Sequence, residues 1–285
     1  MRHPWGRRQI NWLIFLLIIL SAVGAGWCGD AGPLPARDWN PQNLKRLEAL
    51  KPDTLTFAVL GDNRNGQVFE RLLQQMAHDP GLEFAIHLGD LVGEGDLEQY
   101  RGFFKSLRQY LPMPLLAVIG NHELAKDPDG RLYSQIFGPR YFSFHLGGHY
   151  FIMLDDAGKI GLGQEQFRWL EAELKKAQAY KTRLVFLHVP LFDPRGGDHH
   201  HCLPPESGRH LSALFKEYRV THIFAGHIHS YFDGVWDGVP YTITAGAGAQ
   251  LYGTDPRHFF FHYLKVSIRG DRVQIQVRPL EEEEE

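Results

Sequence analysis

Six residues able to bind a metal each follow a short apolar run, and five such runs recur along the chain. Leu55–Leu60 leads into Gly61-Asp62, Phe84–Leu88 into Gly89-Asp90, and Leu115–Ile119 into Gly120-Asn121-His122-Glu123. Leu184–Leu187 ends in His188, and His222–Ala225 in Gly226-His227-Ile228-His229. Runs of that length between helical patterns are strand-like, and open α/β sheets gather their ligands at the carboxyl ends of strands. The five ends would carry Asp62, Asp90, Asn121, His188, His227 and His229 into one pocket. A glycine ahead of the ligand permits a sharp exit from the strand. Carboxylate oxygen combined with imidazole nitrogen suits Mn, Fe or Zn better than Ca, with Mg also admissible. Six ligands exceed one four-coordinate site, so the set fits two divalent or mixed-valence ions about 3.5–4 Å apart that share a carboxylate. Such a pair generates hydroxide at neutral pH and clamps phosphoryl oxygens through an in-line displacement. One Gly-Asp alone would mean little, because an Asp after a strand usually closes a turn.

The elements that must position these residues follow from periodicity. Helical patterns occupy Val68–Met76, Leu97–Leu111, Gln164–Ala177 and His210–Tyr218. In the third, Phe167, Leu170 and Leu174 share one face while Glu165, Glu171, Glu173 and Lys175 carry charge elsewhere. Strands alternating with helices predict an α/β domain with a largely internal, mainly parallel sheet. Tyr141–Phe144 and Tyr150–Leu154 are expected to form a hairpin about Gly147-Gly148. Beyond Tyr231, strands are expected over 231–236, 239–245, 258–268 and 272–279. The domain is set at 54–280, preceded by a linker over 28–53 with one short amphipathic piece near Leu44–Leu50. Residues 281–285 form a solvated acidic tail.

In this order the motifs resemble the calcineurin-like metallophosphoesterase family, whose pattern is Asp-x-His, Gly-Asp, Gly-Asn-His-Glu/Asp, His, then Gly-His-x-His. The resemblance covers about residues 54–245. It implies an α/β fold of two stacked mixed β-sheets flanked by helices, an α/β/β/α sandwich. It implies hydrolysis of a phosphomonoester or phosphodiester by a dinuclear metal centre. Asp90 would bridge the ions, Asn121, His188 and His227 would complete one site, and Asp62 and His229 would serve the other. His122 would lie near the leaving-group oxygen as a general acid or phosphate contact, a task imidazole suits because its pKa lies near working pH.

One motif departs from the pattern: where the family has Asp-x-His, this chain has Asp62-Asn63-Arg64. Arginine is permanently protonated and cannot ligate a metal. Purple acid phosphatases also lack that His but supply a Tyr three residues after the second Asp, where this chain has Gly93. One site is therefore a protein ligand short. Arg64 is placed as a bidentate grip on substrate phosphate, with pairing to Glu123 or Asp96 as the competing expectation. The acid that orients the catalytic His in some relatives is also missing. The rival function is a weak or inactive binding or scaffold protein on the same fold, its first metal site impaired by Arg64.

The chain has 285 residues with 44% hydrophobic and 22% charged, which excludes disorder and a polytopic membrane protein. Net charge is −3, and setting aside Arg2, Arg7, Arg8 and the five-Glu tail leaves the two signs nearly balanced. Such a body lacks the electrostatic footprint for long nucleic acids. Substrates are expected to be small-molecule or lipid-linked phosphate esters. Arg7-Arg8, the apolar run Trp12–Val23 and small Gly24, Ala25 and Gly26 have the layout of a secretory signal. Ile10–Trp27 is barely long enough to serve instead as an uncleaved anchor. Residues 1–27 are thus expected to send the domain out of the cytoplasm or attach it to the membrane. Of 16 histidines, His145, His149, His258 and His262 are expected in the core or on the surface. The Asp198–Cys202 loop is expected to overhang the centre, its histidines incidental. Asp155-Asp156 are expected as turn residues supporting the ligands from behind. Cys28 and Cys202 could pair.

Overall fold

The computed structural model describes residues 32–49, 54–64, 66–196 and 200–282. The signal or anchor reading of residues 1–27, and Cys28, lie outside these. Among the described residues no helix is long and apolar enough to cross a membrane.

Two sheets form from the apolar runs. In the first, β1 (Thr54–Leu60), β2 (Phe84–His87) and β3 (Leu115–Ala117) run parallel. β10 (His262–Arg269) adds antiparallel to β1, and β11 (Arg272–Pro279) antiparallel to β10, giving the order β11-β10-β1-β2-β3. The second has six strands: β4 (Phe142–Leu146), β5 (His149–Met153), β6 (Thr182–Phe186), β7 (His222–Ala225), β8 (Tyr231–Trp236) and β9 (Val239–Thr244). Its order is β4-β5-β6-β7-β9-β8, with β5, β6, β7 and β9 parallel and the hairpins β4–β5 and β8–β9 antiparallel. Both sheets are thus mixed.

Strand alternation sorts side chains into layers. From β1, Phe57 and Val59 enter a core between the sheets, where they meet Phe84, Phe151, Phe186 and Phe224. Ala58 and Leu60 point the other way, toward α2 (Gly66–His78) and α3 (Leu97–Tyr110). The second sheet turns Ile152, Val185 and Ile223 toward α5 (Gln164–Ala177) and α6 (Pro205–Glu217). Helix, sheet, sheet and helix stack in that order, so the parallel strands of both sheets deliver their carboxyl ends to one edge.

Two expectations need correction. The stretch assigned to a linker contains α1 (Trp39–Leu47), which is docked on the domain. Trp39 Nε1 donates to Leu115 O at 2.8 Å, and buried Asn40 both donates to Ala117 O and accepts from Ala117 N–H. The side chain of Asn40 extends the hydrogen bonding of β3 where no further strand pairs. His258–Phe261 is not strand: the N–H groups of His258 and Phe259 both turn back to Asp255 O, at 3.0 and 2.9 Å. A short α4 (Arg131–Phe137) packs Tyr133 and Phe137 under β3.

Candidate metal centre

The exits of β1, β2 and β7 are tight enough to force non-glycine residues into left-handed backbone. Asp62, Asp90 and His227 have φ of 63°, 53° and 68°. That conformation costs an L-residue about 1–2 kcal/mol, and here the carboxylates and imidazole that need it are held by backbone bonds. Asp62 N–H donates to Gly89 O at 3.1 Å, Asn63 N–H to Asp90 O at 3.2 Å, and Ile228 N–H to Gly226 O at 2.8 Å. Gly89 adopts φ 93°, and a Cβ there would sit 2.8 Å from His188 Nδ1. At Gly226 a Cβ would lie 2.8 Å from Asp62 Oδ2.

These turns bring all six expected ligands to one place. Asp90, His188 and His227 form one cluster, and Asp62, Asp90 and His229 a second, with Asp90 common to both. Asn121 joins the first: its Oδ1 lies 2.9 Å from His188 Nε2. The tautomers are set from behind. His188 Nδ1 faces Leu88 O at 2.8 Å and His229 Nδ1 faces Gln250 O at 2.7 Å, so each donates there and turns Nε2 inward, bare in the neutral ring. His188 Nε2 then confronts Asn121 Oδ1, His227 Nδ1 at 3.2 Å and Asp90 Oδ1 at 3.3 Å. Asp62 Oδ1 is buried without a hydrogen-bond partner, 3.4 Å from His229 Nε2. Lone pairs so gathered repel one another unless a cation sits among them, and the mixed O/N donor set suits a transition divalent ion.

The carboxylates of the centre attract positive charge. Burial acts to lower the His188 pKa, yet Asp90, Asp62 and Asp156 together lift it to about 9. Burial and the His188 charge push His227 down to about 3, leaving it neutral. Asp90 is held below its usual range: burial opposes this, but His188, His122 and Arg64 outweigh it. Glu123, fully buried, is raised by desolvation and then by Asp90. Its carboxyl collects the N–H groups of Gly120, Asp90 and Val92 at 2.7, 2.9 and 3.2 Å, tying the exits of β2 and β3 together.

His122 stands at the side of the centre. Its N–H donates to Asp90 Oδ1 at 2.9 Å, and its Nε2 lies 3.8 Å from Asp90 Oδ2. Nδ1 bonds to the carbonyl of Gly93, which takes over the orienting task of the missing acid. Arg64 pairs with neither Glu123 nor Asp96. Its Nη2 lies 3.2 Å from Asp90 Oδ2 and 2.8 Å from His229 Nε2, inside the second cluster.

Other groups reach the centre that the motifs do not mark. The ring of Tyr252, 66% exposed, stacks on His229 with centroids 5.1 Å apart. His201 lies with its ring 5.9 Å from that of His227. It comes from a loop in which Asp193 binds the Arg195 guanidinium and accepts the His201 N–H. Asp198 and His199 lie outside the described residues. An aromatic residue in the connection between β9 and β10 carries no spacing signal, so Tyr252 is not legible in the sequence. Three other histidines are occupied elsewhere: His149 bonds Thr182 and His262 bonds Thr244, while His258 faces Tyr231 O.

A two-sheet sandwich carrying Asp, Asn and His at its strand ends, with one carboxylate shared by two clusters, defines a metallophosphoesterase-type scaffold. The calcineurin-like phosphoesterase family matches residues 55–231, more than half of the chain, and the chain belongs to that family. It is similar to the serine/threonine-protein phosphatase CPPED1 of Danio rerio, 34% identical over 191 residues that make 60% of this chain and 62% of the relative. A probable purple acid phosphatase of Arabidopsis thaliana is 30% identical over 227 residues, 70% of this chain and 52% of that protein. The chain therefore spans less than two thirds of these relatives' length. In fold it matches a dimetal phosphatase from Danio rerio with a TM-score of 0.64 at 17% identity, covering 80% of this chain and 97% of that one. A yellow lupin purple acid phosphatase follows with a TM-score of 0.60 at 16% identity, covering 79% and 51%.

Proposed function

We propose that the chain is a metal-dependent phosphoesterase. The sharing of Asp90 between the two ligand clusters carries this reading, because one carboxylate held by two groups of acceptors is the arrangement a bridged ion pair requires. A bound pair would supply charge for the phosphoryl oxygens and a water of lowered pKa. Asp90, Asn121, His188 and His227 would hold one ion, and Asp62, Asp90 and His229 the other.

The chain's own residues do the rest. His122, turned by Gly93 O, presents Nε2 where a leaving oxygen can take a proton. Arg64 offers a fork of donors to a phosphate entering beside Asp90. The substrate is a phosphate ester of a small or lipid-linked molecule. The names of the relatives, serine/threonine-protein phosphatase and purple acid phosphatase, favour a monoester over a diester. The basic-apolar-small pattern of residues 1–27 supports action outside the cytoplasm, with attachment through residues 10–27 as the other form of the same reading.

The test strips the purified full chain with EDTA and restores Mn, Fe, Zn or Mg. Hydrolysis of para-nitrophenyl phosphate is then compared with that of its bis-ester. Metal-restored turnover with monoester preference is expected, and diester preference would reassign the substrate class. Absence of turnover with every metal would favour the binding or scaffold reading.

A further inference from the structure

We propose that Arg64 is a displaceable cation seated on the second cluster, so that the two metal positions fill unequally. This rests on the dinuclear centre proposed above. Arg64 Nη2 occupies the two atoms that a second ion needs most, Asp90 Oδ2 and the bare Nε2 of His229. Because His229 Nδ1 already donates to Gln250 O, its Nε2 has a single lone pair, which serves either the guanidinium or a metal. Arginine stays charged at any working pH, so an approaching ion meets a like charge that leaves only by moving. Among the described residues, no guanidinium or ammonium bonds Asn121, His188 or His227 of the first cluster.

Two observations mark the seat as contested rather than permanently taken. Arg64 serves two of the three acidic and imidazole groups and leaves Asp62 Oδ1 buried and unpartnered, an acceptor that a small ion would satisfy. There is also room for the head to withdraw. Arg64 borders a cavity of about 400 Å³ edged by Gly248, Leu251 and Phe261. It also borders one of about 340 Å³ edged by Asn63 and Phe103. Asn63 is 5% exposed and its Oδ1 also lacks a partner, which gives a withdrawn guanidinium an acceptor. The Arg64 side chain is 26% exposed, so the movement needs no opening of the core.

Mn²⁺ binding to the metal-free full chain, followed by the paramagnetic resonance of unbound Mn²⁺, reads this directly. The wild type is expected to take one ion tightly and a second about 10–100-fold more weakly, the range by which groups around a metal set its affinity. Arg64→Ala should close most of that gap while leaving the first ion unchanged. Arg64→His, which restores an imidazole ligand, should tighten the second ion beyond the Ala variant. Equal affinities in the wild type, or a gap that persists in Arg64→Ala, would overturn the proposal. Failure of the wild type to bind any Mn²⁺ would remove both this proposal and the dinuclear centre. A shifted second affinity without turnover would sink the enzymatic reading alone.

Discussion

Asp156, at the exit of β5, accepts the backbone N–H groups of His188 and Val189, each at 2.9 Å. The carboxylate fixes the turn that aims His188 at Asp90, and it adds to the charge that raises the His188 pKa. Its role is positioning. Asp156→Leu should weaken binding of the first metal by about 10–100-fold, whereas Asp156→Asn, which keeps one acceptor oxygen, should weaken it less. Competition with a fluorescent chelator measures both. Equal affinity in the Leu variant would show that the turn holds itself.

His122 is expected to act on the leaving group. Replacing it by Ala should lower kcat by about 10²–10⁴-fold for alkyl phosphates, whose alkoxide needs a proton. The loss should be much smaller for para-nitrophenyl phosphate, whose phenolate leaves unaided. A uniform loss across leaving groups would make His122 a phosphate contact instead.

The sequence announces the six candidate ligands because chemistry and backbone constraint coincide there: a glycine precedes the carboxylate, amide or imidazole after β1, β2, β3 and β7, and His188 follows β6 directly. The two-sheet architecture and the pairing of ligands into clusters came from the family resemblance, since periodicity alone predicted a mainly parallel sheet. The partner of Arg64 was not legible. It depends on how the exits of β1 and β7, 165 residues apart in the chain, face each other. Local pattern also misled at His258–Phe261, where aromatic β-propensity yields to a turn closed on Asp255. α1 was missed as part of the domain because its anchors, Trp39 and Asn40, bind the distant backbone of β3 rather than anything nearby in sequence.

The docking of α1 gives its own test. Asn40 is fully buried and satisfies both backbone groups of Ala117. Asn40→Ala leaves the Ala117 N–H unpaired, while Ala117 O keeps the Tyr133 hydroxyl at 2.9 Å; one group so stranded costs about 1–3 kcal/mol. Urea unfolding should show that loss in the midpoint with little change in slope. An unaltered midpoint would return residues 39–47 to the status of a linker.

Buried neutral histidines set part of the acid response. Desolvation holds His262 and His222 at about 4, below the usual 6.5. Between those values the unfolded chain binds protons that the folded one refuses, so their contribution is whole above pH 6.5 and falls as pH drops toward 4. Each accounts for up to roughly 3 kcal/mol of that loss. Asp156, raised by burial to about 7, works in the opposite direction. Comparison isolates one group: His262→Gln, still able to bond Thr244, should lose less stability than the wild type between pH 6.5 and 4. Parallel pH profiles would contradict the assignment.

The most direct test of the metallophosphoesterase account is Asp90→Asn, assayed beside the wild type for metal content and for hydrolysis of para-nitrophenyl phosphate with saturating Mn²⁺. The account predicts that the wild type turns over only with metal, and that the variant loses at least one bound ion and its turnover. A variant that keeps both ions and its activity, or a wild type indifferent to EDTA, would contradict it.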